Sequence, residues 1–225
     1  MRGPTCLLLV FAAACGGSSF SVSARAGSAS GTVRGPSRGD DELNAGNGII
    51  VTRVRVVVRR IKLQSASTDG GFDDRELKAG PFLIDLTGAA LDGSGVSKVF
   101  DADVPQGTYR KVKFEIHKVE DSDVNTDARF AGLKNTSVVI DGTVDGKAFS
   151  FVSALNEEQE RDGTFSVGSG AQNLTLNLDA TKWFVASGGG RLDPSDPGVD
   201  KSKIEQNIKG SIDAYDDDDQ NGKRD

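Results

Sequence analysis

The residues with the most specific chemistry lie at the C-terminus, in the run Asp217-Asp218-Asp219-Gln220-Asn221-Gly222-Lys223-Arg224-Asp225. Counted from Asp217, the run reads Asp-x-Asp-x-Asn-Gly-x-x-Asp, the spacing of a calcium-binding loop. Ca²⁺ prefers 6–8 hard oxygen ligands. Alternate acidic residues put carboxylates on one side of a tight loop, and Gly222 allows the sharp turn. The expected ligands are the side chains of Asp217, Asp219 and Asn221, the carbonyl of Lys223, and Asp225 directly or through water. A full loop also carries a bidentate glutamate at its twelfth position, and the sequence stops before it. Binding is therefore expected to be weak, about 10⁻⁴–10⁻³ M. The alternative is an acidic, solvated tail.

The other chemistry-bearing residues point to solvation rather than catalysis. His117 is the only histidine. Its parity after Val112, Phe114 and Ile116 places it on a polar strand face. No carboxylate and serine are spaced to orient and use it, and no Gly-x-Ser-x-Gly elbow is present. Zinc is disfavoured because thiol and imidazole ligands are nearly absent. Glu157, Glu158, Glu160 and Asp162 read as a polar loop. A glycosidase pair would need a cleft and aromatic platforms, and the chain has one Trp and two Tyr. Arg53, Arg55, Arg59, Arg60 and Lys62 form a basic strand; an anionic glycan or lipid headgroup is one partner for it, but a solvated outer face or a protected edge is expected. No enzyme activity is expected.

The net charge is −6, with six aspartates between Asp213 and Asp225. That balance disfavours nucleic acid, whose binding rests on neutralising phosphates. Both cysteines, Cys6 and Cys15, lie near the N-terminus. Arg2 precedes the apolar run Leu7 to Ala14, and Cys15-Gly16-Gly17-Ser18-Ser19 follows it. The run is too short to span a bilayer, which takes about 20 apolar residues, so it reads as a removable signal. The small residues before Cys15 match a lipobox, with Ala12 where leucine is commoner. Residues 1–14 are thus expected to be cleaved and Cys15 to be acylated. A lone thiol in an oxidising compartment would be reactive, which favours lipidation over an ordinary signal cut at Ala14. The expected address is the cell envelope, with a lipid anchor in the outer membrane of a Gram-negative bacterium.

The elements that must carry these residues are mostly strands. Residues 15–48 are rich in Gly, Ser and Ala and read as a flexible tether. From residue 49, alternation sets in: Val54, Val56 and Val58 share a face, which swaps at Arg59-Arg60 and calls for a β-bulge or a break. Phe82/Ile84/Leu86, Phe100/Ala102/Val104, Val112/Phe114/Ile116 and Leu174/Leu176/Leu178 repeat the pattern. Val104-Pro105-Gln106-Gly107 is a turn. Val138 to Phe151 is a hairpin about a type I′ Asp145-Gly146 turn, with Ile140 opposite Phe151. About eight strands with Gly/Asp/Ser turns predict a mainly β, antiparallel β-sandwich over residues 49–180. Residues 181–215 are expected to hold one C-terminal amphipathic α-helix from an Asp200 N-cap, with Ile204, Ile208, Ile212 and Tyr215 on its apolar face and Trp183 beneath. Residues 216–225 form the Asp-rich loop.

Ile84-Asp85-Leu86 and Val104-Pro105-Gln106-Gly107-Thr108-Tyr109, on an exported chain, resemble a family of uncharacterised bacterial envelope lipoproteins with a prealbumin-like (transthyretin-like) sandwich. Trp183-Phe184, Leu192-Asp193-Pro194, Ile204 to Ile212 and the Asp-rich end are similar to the C-terminal parts of related exported proteins. The resemblance spans about residues 50–225. It implies a fold and an address, and no reaction. The expectation is a non-catalytic envelope lipoprotein with a structural, adhesion or ligand-binding role, stabilised by calcium. Its partners would be the membrane, through the lipid, and an envelope protein or glycan. The alternative is a carbohydrate-binding module on the cell surface.

Overall fold

The run of β-branched residues after residue 48 forms a strand of 18 residues, β3 (Ile49–Ala66), which is the spine of the larger of two sheets. The computed structural model describes residues 18–28, 42–66, 72–78 and 80–225. Along one edge of the spine lie β2 (Leu43–Gly46), β5 (Phe82–Leu86) and β4 (Phe72–Lys78), in that order. Along the other lie β8 (Val138–Val144) and then β7 (Gly107–Ile116). The switch between them occurs at Val57, whose N–H donates to the Ser137 carbonyl while its carbonyl accepts from the His117 N–H. β9 (Lys147–Ser153) and β10 (Glu157–Val167) close the two ends of this sheet.

The spine keeps its apolar side inward by the expected device. Val58 pairs with Ile116 and Ile61 with Phe114, so Arg59 and Arg60 are skipped in a bulge. Ile61 and Leu63 thereby join Val54, Val56 and Val58 in one buried core. The hairpin also folds as its residues dictate. Asp145 and Gly146 both have positive φ (50° and 80°), as a type I′ turn needs, and Ile140 pairs with Phe151.

The second sheet has the order β12-β11-β1-β6, from β12 (Ile212–Asp216), β11 (Gln172–Leu178), β1 (Ser18–Ala26) and β6 (Ser97–Val104). The two sheets make a mainly β sandwich, antiparallel except for the parallel β1–β11 pair. Its interior holds Phe20, Val22 and Ala24 of β1 and Leu174, Leu176 and Leu178 of β11, together with the inner face of the spine. Phe82 and Phe100 join the sheets edge to face at 5.1 Å.

The small sheet corrects the expected domain limits. Ser18–Ala26 falls inside the stretch read as tether, yet it is a central, buried strand. Its small residues do alternate, with Phe20, Val22, Ala24 and Ala26 inward, and the Ser/Ala composition hides the period. β2 likewise lies inside the expected tether. Residues 29–41 and the signal and lipobox residues 1–17, Cys15 included, fall outside the described residues.

At the C-terminal end α3 (Pro197–Ser211) packs as an amphipathic helix, with Ile204 and Ile208 fully buried. It starts earlier than expected, after Asp196 rather than Asp200, because Pro197 at the first position carries a preset helical φ. It also ends earlier. Ile212 turns extended (φ −81°, ψ 128°) and pairs with Leu178, so Tyr215 sits in strand β12 and not on the helix. Gly210, a weak helix former, precedes that change. Trp183 lies against the helix as expected, its indole N–H donating to Ser211 Oγ at 2.6 Å and its carbonyl accepting from Asn207.

A smaller core lies on the outer side of the large sheet. There Val57 and Val139 are covered by Val119, Phe130 and Leu133, from the segment that includes α2 (Asp121–Thr126) and a 3₁₀ turn at Ala128–Leu133. One more short helix, α1 (Gly88–Asp92), links β5 to β6.

Candidate metal centre

The same alternation that buries the apolar side of the small sheet sends polar groups to its outer side. Ser21, Ser23 and Arg25 of β1 stand beside Asn173, Thr175 and Asn177 of β11. These stand beside Tyr215 and Asp213 of β12, with Asp217 just past its end. An outer face of this kind is ordinarily wet. Here Ser23, Arg25, Asn173, Thr175 and Asp217 are all buried, Asp217 at 0% exposure.

Part of the cover is the Asp-rich loop itself, folded back over the sheet. Gln220 and Gly222 take positive φ (56° and 78°) to make the turn. The Gly222 carbonyl then accepts from Arg25 Nη1 and from the Tyr215 hydroxyl at 2.9 Å. The positive φ favours glycine at 222, and a Cβ there would also press on the Arg25 guanidinium, 2.8 Å from Nη1. The Gly222 N–H donates back to both Asp217 oxygens at 3.1 and 3.2 Å, and Thr175 Oγ1 donates to Asp217 Oδ2 at 2.7 Å. From Thr175 the network runs to Asn173, whose Oδ1 accepts from Ser21 and Ser23, both at 2.8 Å. The two ends of the described chain are thus tied together through buried polar groups, which must be hydrogen-bonded to be tolerated.

The expected ligand residues lie on this loop. Asp217, Asp219 and Asn221 alternate along one tight turn, with Asp219 Oδ1 accepting from Asn221 N–H and Asn221 Oδ1 from Lys223 N–H. Asp225 folds back separately, its N–H donating to the Asp216 carbonyl and its Oδ2 accepting from the Asp218 N–H. Among the described residues, no three carboxylate, imidazole or thiol side chains already converge as a ligand cluster. Asp217 is committed to Gly222 and Thr175, and Asp219 Oδ2 is paired with Asn221 Nδ2 at 2.6 Å. The donor set fits Ca²⁺ in type, being hard oxygens on a turn with glycine sixth.

The electrostatics expose what the spacing argument missed. Burial pushes the Asp216 carboxyl up to about 6; the Ser166 N–H opposes this and the neighbouring Asp218 and Asp225 add to it. Burial raises Asp217 as well, against the bonds from Thr175 and Gly222. Asp216 and Asp218 therefore belong to the charged neighbourhood although the motif skips them. A cavity of about 280 Å³ opens beside them, between Gly163–Phe165 and Ala214–Asp216, with Arg224 and Asp225 on its wall.

The remaining candidates resolve differently from expectation. His117 is 1% exposed, not on a solvated face, because β7 ends at Ile116 and the following chain folds over it. Its Nε2 lies 2.9 Å from Asp123 Oδ2 on α2, and its Nδ1 has no partner among the described residues. Burial acts to raise the Asp123 carboxyl, but the Glu120 N–H and His117 outweigh it, and the net position is below the usual range. Glu157 to Asp162 are not a loop but strand β10, where Glu160 bridges Lys111 and Lys113. The basic strand is neutralised across the sheet: Arg53 meets Asp85, Arg55 meets Asp141, and Arg60 meets Glu115. Trp183, at 0% exposure, offers no stacking platform to a sugar.

No family model matches the chain, and no curated protein does. Among solved structures, the chain is similar to MbnP from Methylosinus trichosporium at 13% identity and a TM-score of 0.42. That alignment covers 88% of this chain and 98% of MbnP.

Proposed function

We propose that the protein is a non-catalytic lipoprotein of the bacterial cell envelope, anchored through Cys15. Its sandwich serves a structural, adhesion or ligand-binding role, and its C-terminal loop takes Ca²⁺. The observation that carries the calcium reading is the bond pair from Gly222 N–H to Asp217, which sets the first and sixth loop positions against each other on a buried, hydrogen-bonded platform. Asp218 and Asp225, which add to the burial-driven rise of Asp216, support it, since a cation relieves neighbouring carboxylates. The burial of the sole histidine supports the non-catalytic reading, because a general base must reach its substrate. No helix among the described residues is long and apolar enough to cross a membrane.

The test is calorimetry of the full chain. Millimolar Ca²⁺ is expected to raise the melting temperature, by an amount that follows ligand concentration. The double substitution Asp217→Ala/Asp219→Ala is expected to abolish that rise. An unchanged melting temperature and no heat on titration would leave the loop as an acidic clasp only.

A carbohydrate-binding role keeps one surface in its favour, an open cleft of about 680 Å³. It lies between the turns at residues 46–48 and 145–146, with Glu42, Asn44 and Thr143 on its walls. Saturable binding on a glycan array, lost in Asp145→Ala, would establish that role.

A further inference from the structure

Only two residues, Gly16 and Gly17, separate Cys15 from the first residue of β1. Three peptide links reach at most about 11 Å whatever their conformation. A lipid on Cys15 therefore cannot lie far from the start of β1, and β1 is a buried interior strand that cannot peel away without opening the core. The place where β1 starts is fixed by register. Ser18 pairs with Val104, at the Val104–Gly107 turn, and Val167 pairs with Gly107 across the neighbouring strands. Pro105, Gln106 and Gly107 are exposed.

The same register says what lies at the far end. β7 meets the last part of the spine, Tyr109 pairing with Ser65. From Ser65 the spine then runs 16 residues back to Ile49, the start of this 18-residue strand. At about 3.3 Å per residue, less the shortening at bulges, that is about 50 Å measured along the strand. At that end the turns at residues 46–48 and 145–146 lie side by side, joined by the Asp145 N–H to the Gly48 carbonyl and by Arg191, which reaches both Asp145 and the Asn47 carbonyl.

We propose that the anchored protein stands end-on: the Val104–Gly107 end rests on the headgroup surface of the bilayer, and the paired turns with their cleft project away from it. This rests on the lipoprotein reading above. It restricts the molecule's orientation in place of the free swing that a long tether would allow, and it presents the cleft to soluble partners at the end of the spine away from the membrane.

The test uses the full, exported and acylated chain in vesicles of neutral phosphatidylcholine doped with a headgroup-labelled acceptor lipid. Single maleimide dyes are placed at Gln106→Cys or at Lys147→Cys, both exposed positions. Acylated Cys15 does not react with the dye. Energy transfer to the membrane is expected to be several-fold stronger from position 106 than from 147. A 20-residue Gly/Ser spacer inserted between Gly17 and Ser18, with a root-mean-square reach of about 25 Å, is expected to weaken transfer from 106 and bring the two sites together. Equal transfer from both sites in the spacer-free chain, or a difference that the spacer leaves unchanged, overturns the orientation while the anchor stands. A chain that fails to float with the vesicles overturns the anchor and the orientation together.

Discussion

A carboxylate shut away from water needs its lone pairs filled, and Asp217 fills them with the Gly222 N–H and the Thr175 hydroxyl. Asp217→Ala is expected to leave both donors buried and unpaired, at about 1–3 kcal/mol each. A loss of about 2–6 kcal/mol in chemical denaturation, present even in chelator, checks this. Asp216 and Asp123 give opposite pH signatures. The folded-state pKa of Asp216 is raised to about 6, so the folded state holds a proton there that the unfolded state releases near 4. In chelator this group adds stability as pH falls from about 7 to 4. Asp123 is depressed, so its contribution is present above about pH 4 and is lost as pH falls further through its folded value. Melting temperatures from pH 7 to 3 should rise and then fall, and Asp216→Asn should reduce the rise, to which Asp217, also raised by burial, adds. His117→Ala strips Asp123 of a buried partner and should cost about 3 kcal/mol, with the loss read from urea melts.

At the scale of elements, β1 is the decisive strand. A chain beginning at residue 42 removes Phe20, Val22 and Ala24 from the core and exposes the inner edge of β11. It is expected to show no cooperative melt, whereas a tether in that stretch would be removed without effect. Circular dichroism melts of the two lengths decide this. The large sheet was the legible part of the sequence. Val54 to Leu63, Val112 to Ile116 and the Asp145-Gly146 hairpin each combine β-branched or aromatic residues with a clear period of two, and their turn residues agree. β1 and β10 were illegible for physical reasons. Ser18–Ala26 alternates through small side chains, and its polar face is buried in part by a segment nearly 200 residues away. Glu157 to Asp162 lack an apolar face and are held as a strand by pairing to β7 and by ion pairs, which no local pattern reveals. The helix was legible in its Ile204/Ile208 stripe. Its end was not, because the pairing of Ile212 with Leu178 overrides a spacing that Tyr215 happens to continue.

At the scale of the whole molecule, the Asp-rich loop was legible as a motif but not as a place. Its spacing marks Asp217, Asp219 and Asn221, and only the fold shows that Asp217 is the clasp joining the last strand to β1 through Gly222 and Arg25. Calcium at the loop should therefore protect β1 as well as the C-terminus. In hydrogen exchange, amides of Ser21 to Arg25 are expected to slow in millimolar Ca²⁺ along with those of Asn221 and Gly222, and protection confined to residues 217–225 would break that link. The claim on which address, orientation and role all depend is the lipid on Cys15. Intact-mass spectrometry of the protein from its native membranes tests it most directly. The account predicts a chain that begins at Cys15 and carries a diacylglyceryl group; a chain that retains residues before Cys15, or one with an unmodified Cys15 thiol, would contradict it.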